Sequence, residues 1–117
     1  RWNRRHPEST PRKAWLQEQL GDDPAPIVAA SDWMTAIPDL VAPWIEVPYL
    51  VLGTDGFGLS DTREALRAFF SVDATHIAAA AMVALARSGE RTAREASQAI
   101  KELGIDPELQ PVFVLDR

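Results

Sequence analysis

The chain has 117 residues, 46% of them apolar and 25% charged, and no cysteine. That size fits one domain with a modest core and excludes a second catalytic domain, and the missing thiols exclude disulfides, thiolate metal sites and cysteine nucleophiles, in agreement with a cytoplasmic setting. The net charge of −5 is uneven, with five cations against Glu8 alone in residues 1–13 and an acidic body beyond; such a body repels phosphate backbones, which argues against nucleic acid as a partner unless the basic arm binds it unaided.

No apolar run approaches the roughly 20 residues that cross a bilayer. The longest, residues 77–86, is mostly alanine, and no basic-then-apolar leader opens the sequence, so neither a membrane nor secretion is expected. Residues 1–10 lack periodicity and read as an extended arm, running back over the acidic domain or over a partner. Thr10 followed by Pro11 is a good start for a short helix over 12–20, since threonine caps and proline needs no amide partner there. Gly21 ends it. Residues 26–30, PIVAA, form a brief strand, and Ser31 follows as an N-cap.

Trp33, Ile37, Leu40, Val41, Trp44 and Ile45 then recur at helical spacing. Pro38 lies inside that pattern, so a kink is expected there and an end near Pro43. Residues 49–52 supply the second strand. After it come Gly53, Gly56 and Gly58, then Ser60 or Asp61 as the cap of a helix over 61–70. Asp73 caps a helix over 75–87 that is apolar almost all round and therefore buried, and Gly89 closes it. A last amphipathic helix opens at Thr92 and stops at Gly104. The tail, residues 107–117, holds Pro107, Pro111 and the apolar run 112–115, which could add an edge strand or lie loose.

The strand, the glycine corner and the helix after it are the organising stretch. Loops at the carboxyl ends of parallel strands are where ligand and partner surfaces are usually built. Yet G-x-x-G-x-G is neither a dinucleotide fingerprint nor a P-loop, and Asp55 and Asp61 place negative charge where a phosphate would approach. A structural corner, with one glycine at positive φ or with no room for a Cβ, is the first reading. Ser60 lacks the G-x-S-x-G setting of a hydrolase nucleophile, Asp61 with Glu64 reads as a helix start before an acid/base pair, and His6 and His76 are too few for a ligand set. Four tryptophans, Trp2, Trp15, Trp33 and Trp44, suggest packing and interfaces, with Trp2 the strongest candidate for contact with another chain.

In this order the motifs resemble the C-terminal part of the homodimeric, thiamine-diphosphate-dependent pyruvate dehydrogenase component, of the transketolase-like superfamily. The resemblance rests on Arg1-Trp2-Asn3 with His6-Pro7, on Thr10-Pro11-Arg12, on Ser31-Asp32-Trp33-Met34, and above all on Leu52-Gly53-Thr54-Asp55-Gly56-Phe57-Gly58 with Ser60-Asp61-Thr62-Arg63. It continues through Val72-Asp73-Ala74 to about Asp106 and leaves the tail 107–117 unmatched.

The resemblance implies one α/β domain over 1–117 of the transketolase C-terminal type, with a short, mostly parallel sheet flanked by helices. It also implies upstream strands, so the chain is expected to be an incomplete domain. The parent enzyme would decarboxylate pyruvate and pass the acetyl group to a lipoyl group of an acetyltransferase partner. Thiamine diphosphate and magnesium would be held by other domains of a homodimer, and no catalytic, cofactor or metal residue carries over. The corner Gly53, Thr54, Asp55, Gly56, Phe57, Gly58, Ser60 and Asp61 carries over as a structural or subunit-facing landmark. The alternative is a free-standing, non-catalytic interaction or regulatory module derived from the same domain.

Overall fold

The computed structural model describes residues 1–109, and the run 112–115 lies outside them. The elements in chain order are α1 (Trp2–Arg5), α2 (Trp15–Leu20), β1 (Ile27–Ala30), α3 (Ala36–Asp39), a 3-10 turn (Ala42–Trp44), β2 (Tyr49–Leu52), α4 (Arg63–Phe69), α5 (Ala74–Arg87) and α6 (Ala93–Glu102). The two strands pair in parallel, with Ile27 opposite Tyr49 and Ala30 opposite Leu52. The Ile27 amide donates to the Pro48 carbonyl and the Ser31 amide to the Leu52 carbonyl, which extends the ladder at both ends. The chain is therefore α/β.

Helix α5 packs on both strands and against α6. It can do so because its inward positions are small: Ala79 and Ala84 are buried, as are Ala96 of α6 and Val72 just before α5. These four make up the buried apolar core of the described residues, and no large side chain is fully enclosed. A helix that reads as apolar all round is thus buried along one side only, and Ile77 and Ala78 remain exposed. Parallel sheets are normally covered on both faces. Here only one helix of the described part packs closely on the sheet.

The helices α4, α5 and α6 start and stop on local chemistry. Thr62, Asp73 and Thr92 each accept a hydrogen bond from the amide three residues on. At the other ends, Val72 donates to the Arg67 carbonyl, Glu90 to that of Leu85 and Ile105 to that of Ile100. Each bond closes a six-to-one loop around a residue at positive φ: Ser71 (56°), Gly89 (83°) and Gly104 (72°). Residues 63–87 are apolar enough on average for a membrane span, but the corner at Ser71 and the cap at Asp73 divide them into helices of seven and fourteen residues. Neither reaches the length a bilayer requires.

Four expectations need correction. Residues 2–5 form a helical turn where an extended arm is expected. Trp2 stacks on His6 with ring centroids 4.2 Å apart, the Arg12 guanidinium lies 3.9 Å over the same indole, and the Asn3 amide exchanges two hydrogen bonds with the Arg12 backbone. Those bonds hold Arg12 extended, so α2 begins only at Trp15, where Gln17 Oε1 accepts from the Ala14 amide at 2.8 Å. No continuous kinked helix follows Ser31. Instead α3 and the 3-10 turn are separate, each with a proline in its first turn where a missing N–H costs nothing. Finally, α4 is capped by Thr62 rather than by Ser60 or Asp61.

Candidate functional site

The two loops that leave the carboxyl ends of β1 and β2 are joined side by side. Ser31 Oγ accepts from the Trp33 amide and tightens the first loop. From the second, the Thr54 amide donates to the Trp33 carbonyl at 2.9 Å, and Thr54 Oγ1 donates to the Asp32 carbonyl at 2.8 Å. Asp55 closes the join: Oδ1 accepts from the Thr35 amide at 2.9 Å and Oδ2 from the Thr35 hydroxyl at 2.7 Å. Both carboxylate oxygens are therefore committed to one residue of the neighbouring loop.

Gly53 explains how the loops come so close. A Cβ there would stand 2.6 Å from the Trp33 carbonyl oxygen and 2.8 Å from the Thr35 nitrogen, both backbone atoms that cannot swing aside. Gly56 turns the chain at φ 100°, a region essentially reserved for glycine. Gly58 has open space where its Cβ would be. The three glycines thus differ in what they do: close approach, a turn, and neither.

Beyond the join the corner faces outward. Gly53, Thr54 and Asp55 are half-buried, whereas residues 56–61 are exposed and Phe57 is 92% accessible. Ser60 caps no helix, and Asp61 Oδ1 accepts from the adjacent Thr62 amide. So the sequence-derived set divides: Gly53, Thr54, Asp55 and Gly56 build the join, while Phe57, Gly58, Ser60 and Asp61 form a projecting tip. Residues missed by sequence reasoning are Asp32, Thr35 and Thr62, along with Arg67, whose guanidinium lies 3.6 Å from Asp32. Only Thr62 had a local signal, a threonine before a helical run. The others are partners across twenty to thirty-five residues.

His76 remains at the start of α5, where the Asp73 carboxylate accepts from its amide and meets its Nδ1 at 2.7 Å. Burial opposes the charge on Asp73, but these His76 contacts outweigh it and hold the carboxyl below its ordinary range. Tyr49 shifts the other way: burial, then the nearby Asp39 carboxylate, raises its phenol while the hydroxyl donates to the Pro38 carbonyl. Among the described residues no three His, Asp or Glu side chains are grouped to hold a metal ion. Among the described residues the donor chemistry at the corner, with both Asp55 oxygens held by Thr35, does not match a magnesium diphosphate site.

No protein-family profile matches the sequence. The chain is 43% identical over 102 residues to the pyruvate dehydrogenase E1 component of Mycolicibacterium smegmatis, a match that spans 87% of the chain and 11% of that protein. The chain is homologous to a C-terminal part of the pyruvate dehydrogenase E1 component. The corresponding proteins of Pseudomonas aeruginosa and Escherichia coli are each 42% identical, over 92% and 91% of the chain and 12% of their own length. A match that omits fewer than twenty residues of this chain has to include the joined corner. The chain spans about a tenth of the relatives it matches, so it corresponds to a segment of the E1 component.

Proposed function

We propose that the chain is a C-terminal domain or part-domain of a pyruvate dehydrogenase decarboxylating component. It contributes architecture and subunit contact, while other domains hold thiamine diphosphate and magnesium. In that reading the parent is a cytoplasmic homodimer that oxidatively decarboxylates pyruvate and transfers the acetyl group to the lipoyl group of an acetyltransferase partner. The fold is of the transketolase C-terminal type, and other strands complete the sheet.

The observation that carries this reading is the identity of 43% to the E1 component across most of the chain. Two features support the assigned role. The corner commits the carboxylate of Asp55 to Thr35 and leaves it none for acid/base work. Among the described residues the sheet is closely packed by α5 alone, and Trp33, Met34, Ile37, Leu40 and Trp44 leave an exposed apolar surface.

Two experiments test it. Replacing the matching segment of the Escherichia coli E1 component by this chain should give a dimer that still turns over pyruvate, whereas deleting the segment should abolish assembly. A graft that dimerises but has lost its turnover with cofactor saturating would contradict a purely architectural role. Calorimetry on the purified chain should register no binding of thiamine diphosphate with magnesium, and a micromolar dissociation constant would overturn the assignment of cofactor binding to other domains.

A further inference from the structure

A cleft of about 410 Å³ lies between the glycine corner and α4, within the volume range of small-ligand sites. Leu66, Phe70 and Val72 form its apolar floor, and Phe57 rises beside it. Arg63 and Arg67 also line it, one helical turn apart on α4. Among the described residues, the Arg63 side chain makes no ion pair or hydrogen bond, and that of Arg67 makes only the long, solvent-exposed contact with Asp32. Of the corner's acids, Asp55 is bound to Thr35, and neither it nor Asp61 is part of the lining. The lining therefore carries two arginines against one acid, Asp32, on a chain whose net charge is −5.

We infer that this cleft binds a small organic carboxylate with an apolar body. Arg63 takes the carboxylate, Arg67 supports it, and Phe57 with Leu66 and Phe70 takes the apolar part. The planar guanidinium fork matches a carboxylate with two parallel hydrogen bonds, and it holds its charge at every working pH. The apolar floor selects against small hydrophilic anions, because they leave it uncovered. A second cleft, of about 420 Å³ between α2 and residues 44–47, carries Asp22, Asp23 and Glu46 against Lys13. It repels the same ligand and so serves as an internal control. This site is independent of the architectural role and involves neither pyruvate nor thiamine diphosphate.

Proton–nitrogen correlation spectra of the full chain, titrated with 2-naphthoate, test the inference. The amides of Thr54, Gly56 and Gly58 and the Arg63 side-chain Nε–H should move together, with a submillimolar dissociation constant. Acetate and the neutral 2-naphthalenemethanol should each bind at least tenfold more weakly. Arg63→Gln should weaken naphthoate about tenfold with the remaining spectrum unchanged. Phe57→Ser, at an exposed position, should weaken it severalfold without touching the charge. The inference is overturned if naphthoate moves the Lys13 and Asp22 region instead, if the alcohol binds as well as the acid, or if Arg63→Gln leaves the affinity unaltered.

Discussion

The α5–α6 hairpin and the segment between the two strands, residues 31–48, use apolar residues in opposite ways. In the hairpin the buried residues are alanines, the helix ends are closed by side-chain caps and six-to-one bonds, and Ala84 is wholly enclosed. In residues 31–48 the apolar residues are large, with Trp33 at 72% and Leu40 at 69% exposure, and neither short helix has a side-chain cap. The hairpin satisfies itself locally. The segment holds its place by backbone turns and by the join to the corner, and its large side chains stay exposed. Stability in this chain should therefore be sensitive to small changes at small residues and insensitive at large ones.

The sharpest way to break that comparison is Ala84→Asp. An ionised carboxylate at this fully enclosed position would be stripped of water, and a loss of about 3 kcal/mol or more is expected. Urea melts followed by circular dichroism measure it. A loss below about 1 kcal/mol would mean that the hairpin interface opens readily and is not the stable half.

Next in size is the corner, which is joined to the start of the second region. Gly53→Ala pushes a methyl group into two backbone atoms, and separating the loops should cost about 2 kcal/mol. Gly56→Ala should cost about 1 kcal/mol through backbone strain at positive φ. Gly58→Ala should change melting by less than about 0.5 kcal/mol, as at an ordinary surface position. Equal effects at all three would show that the join between Gly53 and the Trp33 loop does not matter.

These glycines also show how much the sequence discloses. The parallel strands, α5, α6 and the glycine corner were legible because apolar periodicity, caps and helix-ending glycines act over a few residues. The family was legible because its motifs are contiguous. The pairing of Asp55 with Thr35 was not, since nothing local says which loop a carboxylate will reach. Nor was the break between α3 and the 3-10 turn: the apolar spacing of residues 33–45 implied one helix, whereas Pro38 and Pro43 each began a new turn. The Asn3 clasp on Arg12 likewise shortened α2 through a contact nine residues away. Ser71 did the job expected of glycine, and Ser71→Gly should stabilise the chain by about 0.5 kcal/mol.

The hairpin's pH dependence follows from its cap. The Asp73 carboxyl sits below its ordinary value in the folded chain, so its contribution is complete above the unfolded value near 4 and is lost as pH falls through the lowered folded one. Asp73→Ala should cost about 1 kcal/mol at pH 7 and less near pH 2. Asp73→Asn should keep most of the cap and lose that dependence. Thermal melts at pH 7 and at low pH distinguish the three proteins, and parallel pH profiles for the wild type and the Asn variant would show that the carboxylate charge is irrelevant.

The smallest effect is expected where a reader of the sequence would place the largest. Trp33 and Leu40 are bulky, apolar and periodic, and deleting such side chains from a core costs several kcal/mol. Here both lie mostly in water, so truncation removes little buried area and leaves no cavity. Trp33→Ser and Leu40→Ser should each shift the stability of the isolated chain by less than about 0.5 kcal/mol. The same changes remove part of an uncovered apolar surface, so they should reduce self-association at micromolar concentration in light scattering. If this face meets a neighbouring segment or subunit as proposed, the order should reverse in the E1 component grafted with this chain, and the tryptophan should become costly. If Trp33→Ser unfolds the isolated chain, the segment already has a core of its own and the contrast with the α5–α6 hairpin collapses. If it is neutral both in isolation and in the assembled enzyme, the exposed face is not where this chain meets the rest of the protein.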